Sequence, residues 1–287
     1  MSTLANVLLF GVLLGGVYAV MAYGLGLIYG VMRIVNLAHG AVLMLGAYAA
    51  YALNAAWALD PLFSLPLVLP LAYAAGIALY AALVRHVQGG PPMASLLLLF
   101  GVGLCARNAA YLVWTGDDRA VTLSYGLATV DIGAPVPLTK LLVFTIALGA
   151  TAAMWALFKF THFGRAIRAV SQDAFAAELS GLDVARINAH AFGLGTAVGA
   201  LGGVLLSDLY VVNPEFGSGF LLKSFCIIVL GGMDSMLGIF AGAVLLGVAE
   251  TAAGVYGTSA LQDAVSFVLL VTALVVRPGG LPSLIRS

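Results

Sequence analysis

Residues 161–188 read THFGRAIRAVSQDAFAAELSGLDVARIN. They form the one long polar stretch with helical character and clustered positive charge. Arg165, Arg168 and Arg186 lie within it, and Lys159 lies just before it. Long apolar segments flank it on both sides. A basic segment so placed reads as a cytoplasmic loop, which orients the membrane protein around it and offers a docking surface for a partner.

The flanking segments decide the class. Of 287 residues, 62% are hydrophobic and 8% charged, against roughly 25% charged in soluble domains. Runs of about 20 apolar residues match the hydrocarbon core of a bilayer. They are continuous, where an outer-membrane barrel would alternate. The expected fold is an all-α polytopic membrane protein, a single transmembrane domain over residues 1–287. Twelve basic and twelve acidic side chains balance, which gives no reason to expect a nucleic-acid partner. Cys105 and Cys226 fall in apolar runs and read as small buried hydrophobes. The 35 glycines include Gly11-xxx-Gly15, Gly26-xxx-Gly30, Gly195-xxx-Gly199-xxx-Gly203 and Gly238-xxx-Gly242, spacings that let helices approach closely. The first basic residue is Arg33, so the amino end lacks the basic region expected of a secretory signal.

Spans are expected over about 4–30, 41–59, 65–84, 93–114, 138–160, 189–212, 236–253 and 260–276, with Pro66 and Pro70 opening the third. A further piece at 220–230, ended by Gly231-Gly232, is too short to cross unaided at 1.5 Å per residue. Counted as a crossing, it makes nine segments. Arg33, Arg85, Arg277 and Arg286 then share the side of the 161–188 loop, and the acidic 115–137 segment, Glu215 and the amino terminus fall outside. Counted as re-entrant, it makes eight and puts Arg277 outside. GAVLMLGA at 40–47 and GAVLLGVA at 242–249 resemble each other, as chance allows in so apolar a chain.

Polar groups within spans are costly and mark candidate pathway positions. Asn36 and His39 sit between the first two spans, either in a broken helix that offers free backbone groups to a solute or in a cytoplasmic turn. Arg107 lies inside the fourth span, placed to pair with a carboxylate or to meet an anionic solute. Glu250 and Asp208, near outer span ends, are its candidate partners. Gly231-Gly232 reads as a hinge. Tyr18 and Tyr23 are expected to pack, and Lys223 to snorkel outward. His39, His86, His162 and His190 lack metal-ligand spacing, and no catalytic constellation stands out. In the 161–188 loop, a helix from Arg165 places Ile167, Val170, Ala174, Ala177 and Leu179 near one side and ends near Gly181.

IVNLAHGAVLMLGAY at 34–48 resembles the signature of LivH-type permeases, in the branched-chain amino acid family of ABC importers. GRAIRAVSQDAFAAELSGLDVARIN at 164–188, FLLKSFCIIVLGGMDSMLGIFAGAVLLGVAE at 220–250 and DAVSFVLLVTALVVRPGGL at 263–281 fit the same family in the same order; the companion LivM type is less similar. Ala176-Ala177-xxx-Gly181 resembles the core of the loop through which bacterial import permeases contact their ATPases, with Phe175 where an acidic residue is expected. The resemblance implies a permease subunit for branched-chain amino acids, other amino acids, urea, amides or small aromatic acids, working by alternating access. It implies a second, LivM-like permease, two cytoplasmic ATPases that hold ATP and Mg, and a periplasmic binding protein, in the bacterial inner membrane. ATPase contact would fall on Gly164, Arg165, Arg168, Gln172, Asp173, Ala176, Ala177 and Gly181, and binding-protein contact on Asp208 and Glu215. No Gly-xxxx-Gly-Lys-Ser/Thr loop is present, so no nucleotide cofactor is expected on this chain. The alternative is a stand-alone secondary transporter or channel. It would need intramembrane carboxylates for ion coupling, and Glu250 is the candidate.

Overall fold

The structure, a computed structural model, describes residues 3–131, 133–232 and 235–276. Arg277 and Arg286 lie outside the described residues. The helices are α1 (Thr3–Met32), α2 (His39–Trp57), α3 (Pro61–Leu79, continued by a π-turn at Tyr80–Val84 and by Arg85–Val87), α4 (Pro92–Trp114), α5 (Leu138–Phe160), α6 (His162–Gln172), α7 (Ala174–Leu179), α8 (Val184–Ser207), α9 (Phe216–Gly231), α10 (Met236–Tyr256) and α11 (Ser259–Val276). Strands β1 (Thr129–Asp131) and β2 (Pro135–Pro137) pair antiparallel between α4 and α5. Among the described residues, seven helices are long and apolar enough to cross a membrane, and α9 and part of α11 are shorter apolar helices. This agrees with eight to nine segments, α9 being the short one and ending where Gly232 takes φ +83.

Three boundaries differ from expectation, for local reasons. Asp60 accepts a hydrogen bond from Leu62 N at 2.9 Å, so α3 starts at Pro61 and Pro66 and Pro70 lie inside the helix, beyond its first turn. Asp183 accepts from Arg186 N at 3.0 Å, so α8 begins ahead of Ala189. It stops at Ser207 although apolar residues follow, because Val212 leaves to form a two-way backbone bridge with Arg119 at 2.7 and 2.8 Å. Cys226 is buried as expected, whereas Cys105 is exposed on α4.

The centre is α1 against α8, with long buried stretches on both. Between helices in lipid, close fit replaces hydrophobic attraction as the source of stability. Gly11 and Gly15 face the backbone of Val248 and Val244 in α10, Gly195 faces Gly24, Gly203 meets the Leu43 carbonyl, and Gly238 meets Gly231. The Gly11/Gly15, Gly195/Gly199/Gly203 and Gly238/Gly242 spacings lie on packing seams, whereas Gly26 and Gly30 border the larger cavity at the α6 end.

The contacts have an order that the sequence did not display. α1 packs on α10 as α8 packs on α3, while α1 with α8 and α2 with α9 pair with each other. The run α1–α4 therefore corresponds to α8–α11 with the direction reversed, an inverted-topology repeat, and the second helix of each unit starts after a non-helical segment. The similar octapeptides at 40–47 and 242–249 lie in α2 and α10, which are not equivalent members of that repeat.

The repeat hinges on backbone contact between Gly40 and Gly217, where a Cβ on either would strike the other's carbonyl oxygen. Gly217→Ala is expected to destabilise the purified protein by about 1–3 kcal/mol, the usual cost of overpacking. Gly219→Ala, with no neighbour within 4 Å, is the control. A thermal melt in detergent that moves equally for both would count against the crossing.

Candidate translocation site

Both breaks turn the chain back into the bundle. Arg33, at φ +56, ends α1. Residues 33–38 then run back alongside it, until His39 Nε2 lies 2.8 Å from the Met21 carbonyl oxygen. The stretch from Met21 to Met32 spans roughly 16 Å at 1.5 Å per residue, so α2 starts deep in the bundle. Buried Asn36 accepts from Ala38 N at 3.1 Å and fixes the turn. From the opposite end, residues 208–215 descend past the Arg119–Val212 bridge, with Asn213 Nδ2 donating to Asp118 Oδ1 at 2.8 Å. α9 then starts against α2, at Gly217 on Gly40, with Phe220 edge-on to Tyr18 at 6.3 Å. Two helix amino termini thus meet near mid-depth. Neither carries a side-chain cap; nor do α4 and α5, which follow Pro91 and Pro137, whereas α3, α6, α7, α8 and α10 do. First-turn N–H groups and the helix dipole make such a place electropositive.

Beside the meeting point is a cavity of about 240 Å³. Leu37, Gly40, Ala41 and Met44 line it on the α2 side, Phe100, Gly103, Leu104 and Arg107 from α4, and Pro214, Gly217, Ser218 and Leu221 at α9. It is below the roughly 300–1,000 Å³ of pockets for drug-sized ligands and suits a small solute. At its rim Arg107 Nη1 lies 3.1 Å from Glu215 Oε2, and the Tyr111 hydroxyl donates to Glu215 Oε1 at 3.1 Å. A larger cavity, about 550 Å³, opens at the α6 end between Tyr23, Leu27, Met154 and Phe158 and the α6 residues Arg168 and Gln172.

Of the residues singled out in the sequence, Arg107 lines the smaller cavity. Its partner is Glu215, not Asp208 or Glu250. His39 begins α2 but turns away from the cavity, its ring against Gly24 and Gly199 in the α1–α8 seam. Gly231 packs on Gly238 and, like Gly232, does not border that cavity. Glu250 is fully buried. Lys223 Nζ sits 3.0 Å from its carboxylate, Tyr18 donates to it at 2.8 Å and Ser266 at 2.6 Å. Lys223 therefore points inward instead of snorkelling, because its counter-charge is inside. Asp208 has both carboxylate oxygens buried without a partner. Burial first, and the Asp60 carboxylate second, push its pKa from 3.8 to about 7. Gly40, Gly217 and Ser218 were missed; the signal for the second break was Asn213-Pro214 followed by Gly217-Ser218-Gly219.

The 161–188 loop holds two helices where one was expected. Thr161 caps α6, accepting from Gly164 N at 3.0 Å, and Gly164 fits against the Leu157 and Phe158 carbonyls. Asp173, extended at φ −154, breaks the helix and caps α7 by accepting from Ala176 N at 3.0 Å. Gly181 then turns the chain at φ +85. The break rotates the two faces apart. Ile167, Val170 and Ala177 are buried, whereas Ala174 and Leu179, expected beside them, are exposed. Arg168 donates to the Phe158 carbonyl, Arg165 meets His162, and Gln172 and Ala176 are exposed.

Residues 7–274 match the family described as branched-chain amino acid transport system, permease component. The chain is 31% identical to the LivH permease protein of a high-affinity branched-chain amino acid transport system from Salmonella typhimurium, over 94% of this chain and 92% of that one. It is 32% identical to the corresponding BraD protein of Pseudomonas aeruginosa, over 94% and 93%, and 23% identical to a probable LivH of Methanocaldococcus jannaschii, over 91% and 87%. No solved structure matches.

Removing one member of the buried Lys223–Glu250 pair is expected to cost about 3–5 kcal/mol, because the other charge is left uncompensated. Lys223→Met should therefore lower the melting temperature more than Lys223→Met with Glu250→Gln, and equal losses would deny the pairing. For Asp208 the folded state holds the proton more tightly than the unfolded chain, so stability should fall as pH rises from about 4 to about 7 and level off above. Melting curves of Asp208→Asn should lose that slope; an unchanged slope would show that another group carries it.

Proposed function

The chain belongs to the family of branched-chain amino acid transport system permease components, and from that premise we propose that it is the permease subunit through which an ABC importer passes its solute. The solute is a branched-chain amino acid or a related small polar molecule, in keeping with the names its relatives carry. The observation that carries this reading is the meeting of two uncapped helix starts beside a small cavity, deep in a helical membrane bundle. Irregular backbone at that depth is tolerated where protein buries it or where it lines a wet cavity.

The open side of the cavity supports a partner. Arg107 and Glu215 have side chains 36% and 51% exposed, yet Arg107 lies within a span, where bare lipid is costly to a charge. A second, LivM-like permease closes this side, so the route runs between the two chains. Arg33, Arg85, Lys159, Arg165, Arg168 and Arg186 gather at the α6 end, and Asp60, Asp117, Asp118 and Asp131 at the other. By the positive-inside rule the α6 end faces the cytoplasm of a bacterial inner membrane. There, Phe175 and Leu179 stand 71% and 75% exposed, four residues apart on α7. They present an apolar edge that fits a groove on an ATPase subunit. Two such ATPases hold the ATP and Mg, and their closure drives alternating access. A periplasmic binding protein delivers the solute at the opposite end.

An affinity-tagged chain should bring ATPase subunits with it from the membrane. Arg168→Ala or Gly181→Ala, the latter straining a left-handed residue, should leave the complex assembled and cut solute-stimulated ATP hydrolysis several-fold. Normal coupling would remove the loop from the mechanism. Solute movement by the isolated chain without nucleotide would return the secondary transporter.

A further inference from the structure

The ion pair at the cavity rim has the charge pattern of the solute itself. Arg107 presents a guanidinium and Glu215 a carboxylate, 3.1 Å apart, and Tyr111 holds the second carboxylate oxygen at 3.1 Å. Both charged side chains are partly open, so each can exchange partners without dragging a buried charge through the core. Next to them the cavity has an apolar wall of Met44, Phe100, Leu104 and Leu221. On its other side are the starts of α2 and α9, at Gly40 and Gly217, without side-chain caps.

Resting on the reading of this cavity as the translocation route, we propose that the Arg107–Glu215 pair is the docking pair for a zwitterionic α-amino acid. The solute's carboxylate takes the place of Glu215 on the Arg107 guanidinium, on the side of the two helix starts, where the dipoles favour an anion. Its ammonium takes the place of Arg107 on Glu215, which Tyr111 keeps in position. The aliphatic side chain lies along the apolar wall. One ion pair opens and two form, and the site carries zero net formal charge whether empty or occupied. When the solute leaves, the pair closes on itself, so the empty site strands neither charge and does not hold its cargo. A solute lacking either charge leaves one member of the pair unmatched.

The test uses the assembled importer in proteoliposomes with its binding protein, leucine as the probe, and two readouts, leucine uptake and ATP hydrolysis. Wild-type uptake that depends on ATP is the control for the underlying reading, and its absence would sink that reading before this one is reached. Glu215→Gln keeps the size of the side chain and an acceptor for Arg107 and Tyr111. It is expected to assemble with its ATPases while leucine uptake and the leucine-stimulated part of ATP hydrolysis both fall about tenfold or more, the size of one charge-assisted hydrogen bond. The exchanged pair Arg107→Glu with Glu215→Arg restores an ion pair with the polarity reversed against the helix starts, and should leave uptake low. Wild-type uptake by either protein overturns the proposal. So does a loss of uptake in Glu215→Gln that merely follows loss of assembly, since the pair would then be structural.

Discussion

Backbone N–H and C=O groups inside hydrocarbon must find partners within the protein, and this chain interrupts its helices twice under that constraint. At 33–38 the interruption is held by the His39–Met21 and Asn36–Ala38 hydrogen bonds. At 208–215 it is held by the Arg119–Val212 bridge and the Asn213–Asp118 bond. The two interruptions bring the starts of α2 and α9 face to face at Gly40 and Gly217. Neighbouring helices cover that place on more than one side. The α1–α8 seam covers it on one side, and α4 covers another by laying Gly103 on Ala38.

Glycine makes this geometry possible. Helix starts can touch backbone to backbone only where neither residue carries a Cβ, and Gly40 and Gly217 occupy equivalent places in the two units. The same economy of volume runs along α1 and α8, where His39 finds room because Gly24 and Gly199 leave it. The buried Lys223–Glu250 pair, with Tyr18 and Ser266, joins α9 to α1, α10 and α11 through charges and hydroxyls instead of shape. It fixes the short helix laterally where its length alone would not.

Most of the fold was legible because a span announces itself by length and continuity. Leu138–Phe160 agrees with the expected bounds to the residue. Span ends were less legible wherever a capping residue overrode hydropathy, as Asp60 and Asp183 do. Pairing was the hardest to read. A lysine beside an apolar face has no sequence signature that separates snorkelling from an inward ion pair, and Lys223 went the second way because Glu250, distant in sequence, is near in space. Arg107 was recognisable as a charge out of place, yet its partner lay beyond the reach of any spacing rule. The inverted repeat left no readable trace in residues, since two apolar helices of opposite direction satisfy the same membrane with unrelated side chains.

The three successive caps at Thr161, Asp173 and Asp183 have a mechanical consequence. A connection folded before contact behaves as a strut: it loses little conformational freedom when something presses on it, so displacement is relayed instead of absorbed. The compliance of that strut lies at its two joints, extended Asp173 between α6 and α7 and the Gly181 turn between α7 and α8. Stiffness at the first sets how much of a push on α7 reaches α5 through α6, and stiffness at the second how much reaches α8; the rest is dissipated as local bending.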